Sequence, residues 1–265
     1  MTNYSIISFY KREGEKITIE YLVEHVNTMI DLLNKDSRAI RFGEELLKSI
    51  SSNVINYYDL IVSSIIFHDI GKAFYKYSID KAIKQGREGA GFSGHEILSA
   101  FIMDEAVKTL SEEYPKEYSS TPFIPGIYSI LFHHHALAIT KRLPKAISYV
   151  FNKPREYYLE IVNLLLRDFK DIHYNTYLLD DLLNILEDSV ITTLSHLNNP
   201  LTRFTELKGY LFRKLASREI ELKKLMHLTL STLICLDYEA ARRKRGSPPS
   251  TFGRMCIKWL KYYVY

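Results

Sequence analysis

The chain carries nine histidines, and six of them, at positions 25, 68, 95, 133, 134 and 135, fall in segments that also carry helical apolar stripes. His25 lies three residues after Leu22 and four before Met29, so it shares their face; His68 lies three after Ile65 and seven after Ile61. Asp237 follows Leu233 by four and precedes Ala240 by three, which sets a carboxylate on another apolar face. An inward carboxylate costs several kcal/mol unless a cation or a hydrogen-bond network compensates it. Imidazoles and carboxylates converging in a helical core therefore suggest a divalent metal, and mixed nitrogen and oxygen donors suit Mn, Fe, Co, Ni or Zn alike. Each residue alone has a plainer reading. A lone inward histidine is most often a hydrogen-bonded core residue, a dipeptide such as His68-Asp69 occurs by chance, and Asp237 fits a buried partner for an arginine or a helix amide. His173, His196 and His227 lack metal-like neighbours and read as structural.

The elements that must hold these residues read as helices, because strand-like alternation bounded by turn signals is scarce. Leu22, Val26, Met29, Ile30 and Leu33 mark one helix; Ile55, Tyr58, Ile61, Val62, Ile65 and Ile66 mark another that runs into His68, with Gly71 loosening its end. Ser93-x-x-Glu96 fits a capping box and starts a third, placing His95 in a first turn. Pro122 and Pro125 precede a helix through Ile127 and Ile130 to His133. Further helices are expected at about 156–170, 177–197 and 207–243, the last ending at Gly246-Ser247-Pro248-Pro249. Segments 76–92 and 110–125 read as loops. The fold class is all-α, with a body over 1–245 and a short basic and aromatic tail over 246–265 that is not an independent domain.

An apolar share of 46% with 25% charged residues is an ordinary globular mixture and excludes disorder throughout. No apolar run reaches the roughly 20 residues that span a bilayer, and the amino terminus lacks the order of a signal peptide. The expected location is cytoplasmic, without membrane contact. Cys235 and Cys256 form neither a CxxC pair nor a disulfide framework, and read as packing residues. The net charge of +4 conceals an asymmetry: after Glu239 seven cations and no acids follow, leaving the rest of the chain at −3. A basic end suits phosphates or an acidic partner.

His25, then His68-Asp69 ending an apolar helix, then Asp237 late in another, resembles the H...HD...D signature of the HD phosphohydrolases, all-helical metal enzymes that hydrolyse phosphate esters. His68-Asp69-Ile70-Gly71-Lys72-Ala73, Gly94-His95-Glu96, the histidines at 133 to 135 and Asp237-Tyr238-Glu239-Ala240-Ala241 narrow the match. Together they resemble the HD nuclease of type I CRISPR interference, here as a separate protein without its usual helicase. The resemblance runs from about residue 20 to 241.

It implies an HD-domain helical bundle in which His25, His68, Asp69 and Asp237 hold one metal while His95, His133 and His134 supply a second. Two divalent transition-metal ions roughly 3.5 to 4 Å apart can share Asp69 as a bridging carboxylate. Such a pair activates a water and stabilises the attacking and leaving oxygens of an in-line displacement. Lys72, three residues beyond Asp69, is then a catalytic cation for a phosphate oxygen; its plainer reading is a solvated lysine past a helix end. Glu96 reads as the closing residue of the capping box. Two departures from the family pattern stand out. The family has two adjacent histidines before a small residue, whereas His134-His135-Ala136 fits that register here almost as well as His133-His134. The pair at 133 and 134 is preferred because both continue the Ile127 and Ile130 face. A hydroxyl residue often follows the last aspartate by one turn, where this chain has Ala241.

The expected function is a metal-dependent nuclease acting on single-stranded DNA, with RNA left open, in CRISPR antiviral defence. Its expected partners are a separate CRISPR helicase subunit and effector complex. The rivals are an HD phosphohydrolase for nucleotides or cyclic dinucleotides, and a non-catalytic module that keeps the fold. At the carboxy terminus, Arg242 to Arg245 with Phe252, Trp259, Tyr262, Tyr263 and Tyr265 interleave cations with stackable rings, as single-strand binding requires. An amphipathic segment packing on the body, or one docking a helicase or effector subunit, gives the same pattern.

Overall fold

The computed structural model describes residues 5–51, 55–134, 139–150, 153–173, 176–196, 199–246 and 248–265. It begins with a feature that the helical reading overlooks, an antiparallel hairpin of β1 (Ile7–Glu13) and β2 (Lys16–Tyr21). Gly14 makes the turn possible: its φ of 63° lies where side chains other than glycine are disfavoured. The register slips at Ser8, between the pairs Ile7–Tyr21 and Phe9–Glu20. On β2, Ile17 faces solvent while Glu20 is buried, the reverse of an apolar face turned inward.

β2 passes directly into α1 (Leu22–Asp31), where the Glu24 carboxylate accepts from the Tyr21 N–H at 3.4 Å. Ser37 caps α2 (Arg38–Ile50), and Asn56 caps α3 (Tyr57–Phe67) by accepting from the Asp59 N–H at 2.8 Å. Every residue of α3 except Asp59 is buried, as befits a central helix. A 3-10 turn over Ile70–Tyr75 leads to α4 (Lys76–Lys84), then α5 (His95–Glu113), α6 (Ile124–Phe132), α7 (Ile139–Val150) and α8 (Arg155–Phe169). The chain continues through α9 (Tyr177–Asn184), α10 (Leu186–His196), α11 (Pro200–Ala216), α12 (Ile220–Arg245) and α13 (Thr251–Trp259). α12 packs on α6, α2, α13 and α1, and its own end is set by Gly246 at φ 63°. The all-α class therefore holds, with one small hairpin added.

Several expected boundaries are corrected. The supposed loop at 76–92 contains α4, whose stripe is only Ile79 and Ala82. The 110–125 loop is shorter, because α5 continues to Glu113 and α6 starts at Ile124. The helix expected over 177–197 is α9 and α10, parted at Ile185. That over 207–243 is α11, which begins at Pro200, and α12; the extended Ser217, ψ 173°, stops the first. In both cases the flanking helices bury their stripes in one core, so apolar periodicity carries across the break.

The tail belongs to that core. Cys256, Leu260 and Val264 are buried in the same cluster as Cys235 and Leu236, and the Tyr238 hydroxyl accepts from the Ser250 N–H at 3.1 Å. The Val264 carbonyl accepts from the Asn34 N–H at 3.3 Å. This is the packed amphipathic segment, and both cysteines are the packing residues they read as. Among the described residues, no helix is long and apolar enough to cross a membrane.

Candidate metal centre

Each expected ligand sits where an element starts, ends or crosses the core. His25 lies in the second turn of α1, His68 is the residue after α3, and Asp69 is the residue before the 3-10 turn. His95 is the first residue of α5, His133 and His134 follow α6, and Asp237 lies within α12. Helix ends give the side chains their aim. His68, His95 and His133 each donate Nδ1–H to a carbonyl three residues back, of Ile65, Phe92 and Ile130, at 2.6, 2.6 and 2.7 Å. This bond fixes the tautomer and leaves Nε2 as a lone-pair donor, as in metal-ligating histidines.

Close packing of the backbone brings these ends together. A Cβ on Gly71 would lie 2.2 Å from the His95 carbonyl oxygen, so only glycine lets the 70–75 turn meet the start of α5. The Gly71 N–H also donates to Ser99 Oγ at 2.9 Å. Gly71 thus serves a contact rather than loosening an end. Gly94, at φ 94°, sits against Ala146 and the Arg142 carbonyl and turns the chain into His95.

Two groups of ligand atoms result, each with all members within 4.8 Å of one another: Asp69, His95, His133 and His134, and His25, His68 and Asp237. Asp69 joins them. Its Oδ1 is 2.8 Å from His95 Nε2 and 4.0 Å from His133 Nε2, while Oδ2 is 3.3 Å from His68 Nε2. His25 Nε2 lies 3.0 Å from Asp237 Oδ1. The Nε2 atoms of His68, His95 and His133 and Oδ1 of Asp69 are buried without a hydrogen-bond partner among the described residues. Buried lone pairs left unmatched and aimed at one another are costly, and a shared cation would satisfy them. The residues present therefore fit divalent metal, and the two groups fit two ions. All seven expected ligands are brought together. His135 lies outside the described residues.

The charges agree with this geometry. Burial, then the neighbouring imidazoles of His134, His68 and His95, holds the His133 pKa well below the usual histidine range. Burial and His95 lower that of His134 to about 4, so both rings stay neutral and able to ligate. Burial opposes the charge on Asp69, yet His68 and Lys72 hold its carboxyl well below the usual range. Asp237 is held low in the same way by its hydrogen bond to His25. Burial also opposes charge on His25, but its bonds to Asp237 and Glu20 outweigh this and raise its pKa to about 9, so an ion taken at Nε2 would have to displace a proton shared with Asp237.

Lys72 is not a solvated lysine. Its ammonium is buried, 2.5 Å from Asp69 Oδ2 and 3.1 Å from Ser8 Oγ. Glu96 does not close a capping box, because Gly94 rather than Ser93 precedes the helix and no side chain caps it. Its buried carboxylate instead accepts from Arg142 at 2.9 Å. Two site residues escaped the sequence reading, Ser8 and Glu20, both from the hairpin. Ser8 Oγ donates to Asp69 Oδ2 at 3.4 Å, so a hydroxyl stands in the site although α12 has Ala241. Glu20 Oε1 accepts from His25 Nδ1 at 3.0 Å. The signal for them was the pair of short runs flanking Glu13-Gly14-Glu15-Lys16.

Compared with protein-family models, curated proteins and solved structures, the chain matches none of them.

Proposed function

We propose that this chain is a metal-dependent phosphodiesterase of the HD type, a nuclease for single-stranded DNA. The observation that carries the proposal is Asp69, with one carboxylate oxygen toward His95 and the other toward His68, amid Nε2 atoms that have no hydrogen-bond partner among the described residues. His25, His68 and Asp237 would hold one ion and His95, His133 and His134 the other. When bound, a pair of Mn, Fe, Co, Ni or Zn ions supplies Lewis-acid stabilisation and an activated water. The protein's part is to fix the ligands through the Nδ1 bonds and to hold the Lys72 ammonium at Asp69, where negative charge would gather on phosphate.

Substrate and pathway rest on the resemblance to the HD nuclease of type I CRISPR interference, which brings a separate helicase and an effector complex as partners. The carboxy-terminal surface supports a single strand: Phe252, Tyr262, Tyr263 and Tyr265 are exposed beside Arg254, Lys258 and Lys261.

One observation favours a second reading, hydrolysis of nucleotides or cyclic dinucleotides. Arg242 and Arg243 pair with Glu239, Lys244 with Glu24 and Arg245 with Glu20, so the densest cation run is matched by the protein's own carboxylates. A small substrate would not need that run. Incubating the Mn-loaded protein with a labelled single-stranded oligonucleotide, its duplex, mononucleotides and cyclic dinucleotides decides between them. Chelator-sensitive cleavage of the single strand is expected. Hydrolysis of the small substrates with the strand left intact would establish the second reading instead.

A further inference from the structure

We propose that Glu20 is a positioning residue that holds the imidazole of His25 for one metal ion of the pair and makes that position chemically distinct from the other. The inference rests on the metal-centre reading above and concerns a residue outside the ligand set. His25 differs from His68, His95 and His133 in its Nδ1 acceptor. His68, His95 and His133 donate to backbone carbonyls, the Glu96 carboxylate standing off at 3.5 Å from His95 Nδ1, whereas His25 donates directly to a carboxylate, Oε1 of Glu20 at 3.0 Å, with both side chains almost wholly buried. A carboxylate behind a ligating imidazole fixes ring orientation and raises ligand basicity more than a neutral carbonyl does.

The hairpin is arranged around this contact. β2 exposes Ile17 and buries Glu20, although the opposite choice would bury more apolar surface. Oε2 of Glu20 is buried without a hydrogen-bond partner among the described residues; the guanidinium of Arg245 faces it at the longer distance of 3.7 Å and stacks on Phe9 with its carbon 3.8 Å from the ring centre. Phe9 is the cross-strand partner of Glu20. The ring of His25 is thus fixed from behind by Glu20 while its Nε2 faces Asp237 at 3.0 Å. A carboxylate placed only for solubility would have no reason to be inside, and one placed only to pair with Arg245 would not need His25.

The test is a titration of the metal-free full chain with cobalt(II) alone, read by heat and by the visible absorption of the bound ion, for the wild type, Glu20→Gln and Glu20→Ala. The expected wild-type result is two equivalents. Glu20→Ala should weaken one of them by about 10- to 100-fold and shift its absorption, while the other stays unchanged. Glu20→Gln keeps an oxygen acceptor without the charge, so it should show a smaller loss at the same equivalent, and it carries the test where the alanine variant does not fold. Two undisturbed equivalents in both variants would overturn the role of Glu20 and leave the metal centre standing. A wild type that takes up no cobalt would overturn the metal centre itself.

Discussion

The ammonium of Lys72 lies 2.5 Å from Oδ2 of Asp69, three residues earlier, so the carboxylate that joins the two ligand groups also has a buried cation of its own. The turn of 3-10 helix that begins at Ile70 makes this i to i+3 meeting possible, and Ser8 closes the triangle from the hairpin. An ammonium held there offsets the charge of Asp69 and, on the function proposed, would stand beside a phosphate oxygen.

Replacing Lys72 with methionine should therefore keep the metals and lose turnover. The expected fall in kcat is about 10²-fold, the size found for removing one preorganised donor to developing charge. Steady-state cleavage with parallel metal analysis checks this; an unchanged kcat would assign Lys72 to charge balance alone.

Asp69→Asn and Asp69→Ala should both abolish cleavage but differ in stability. Alanine leaves the Lys72 ammonium buried without a counter-charge, a loss of about 3–5 kcal/mol. Asparagine keeps an oxygen acceptor for it and should cost less. Denaturant unfolding of the two variants beside the wild type measures the gap, and equal stabilities would show that Lys72 finds another partner.

Gly71→Ala tests the approach that assembles the site. Its Cβ would meet the His95 carbonyl at 2.2 Å, so the turn must withdraw from α5 and carry Asp69 away from His95. The expectation is a destabilisation of about 1–3 kcal/mol with weakened metal binding. Gly14→Ala is the control, since nothing lies within 4 Å of its added carbon and only the backbone conformation is strained. A loss of metal affinity in both would make the effect global.

Truncation after Gly246 is a poor probe of the basic end, because it would remove the buried Cys256, Leu260 and Val264 and unfold part of the core. Surface changes are cleaner. Lys258→Gln with Lys261→Gln should lower the slope of log affinity against log salt by about 0.7 for each single-strand phosphate that these lysines neutralise. Tyr262→Ala should cost about 1–3 kcal/mol of strand binding for a base that stacks on it. Fluorescence anisotropy of a labelled strand over a salt series reads both; an unchanged slope would assign this face to a protein partner.

The ligand set was legible through the order of its motifs, which resembles that of the HD phosphohydrolases, and through residues that interrupt apolar stripes. His25, His68 and Asp237 stand at helical spacing among Leu, Ile and Met, so their inward aim follows from periodicity alone. Ser8 and Glu20 were not legible for the converse reason: their strands expose Ile17 and bury a carboxylate, and no apolar alternation marks the inner face. α4 was missed because two buried side chains, Ile79 and Ala82, make too narrow a stripe to register. Ser93-x-x-Glu96 has the spacing of a capping box, but the tight approach of Ala146 and Arg142 calls for Gly94 at positive φ, and Glu96 is drawn to Arg142 instead. Local signals held where an element carries a broad apolar stripe; they failed where the stripe is narrow, as in α4, or where a contact between elements decides, as at Gly94 and Glu96.

The central claim is a pair of metal ions sharing Asp69, and the most direct test is the metal content of the purified full chain after loading with manganese(II) and removal of the excess. The account predicts two ions per chain in the wild type and loss of manganese in Asp69→Asn. A wild type that retains no metal, or an Asp69→Asn variant that retains both ions, would contradict it.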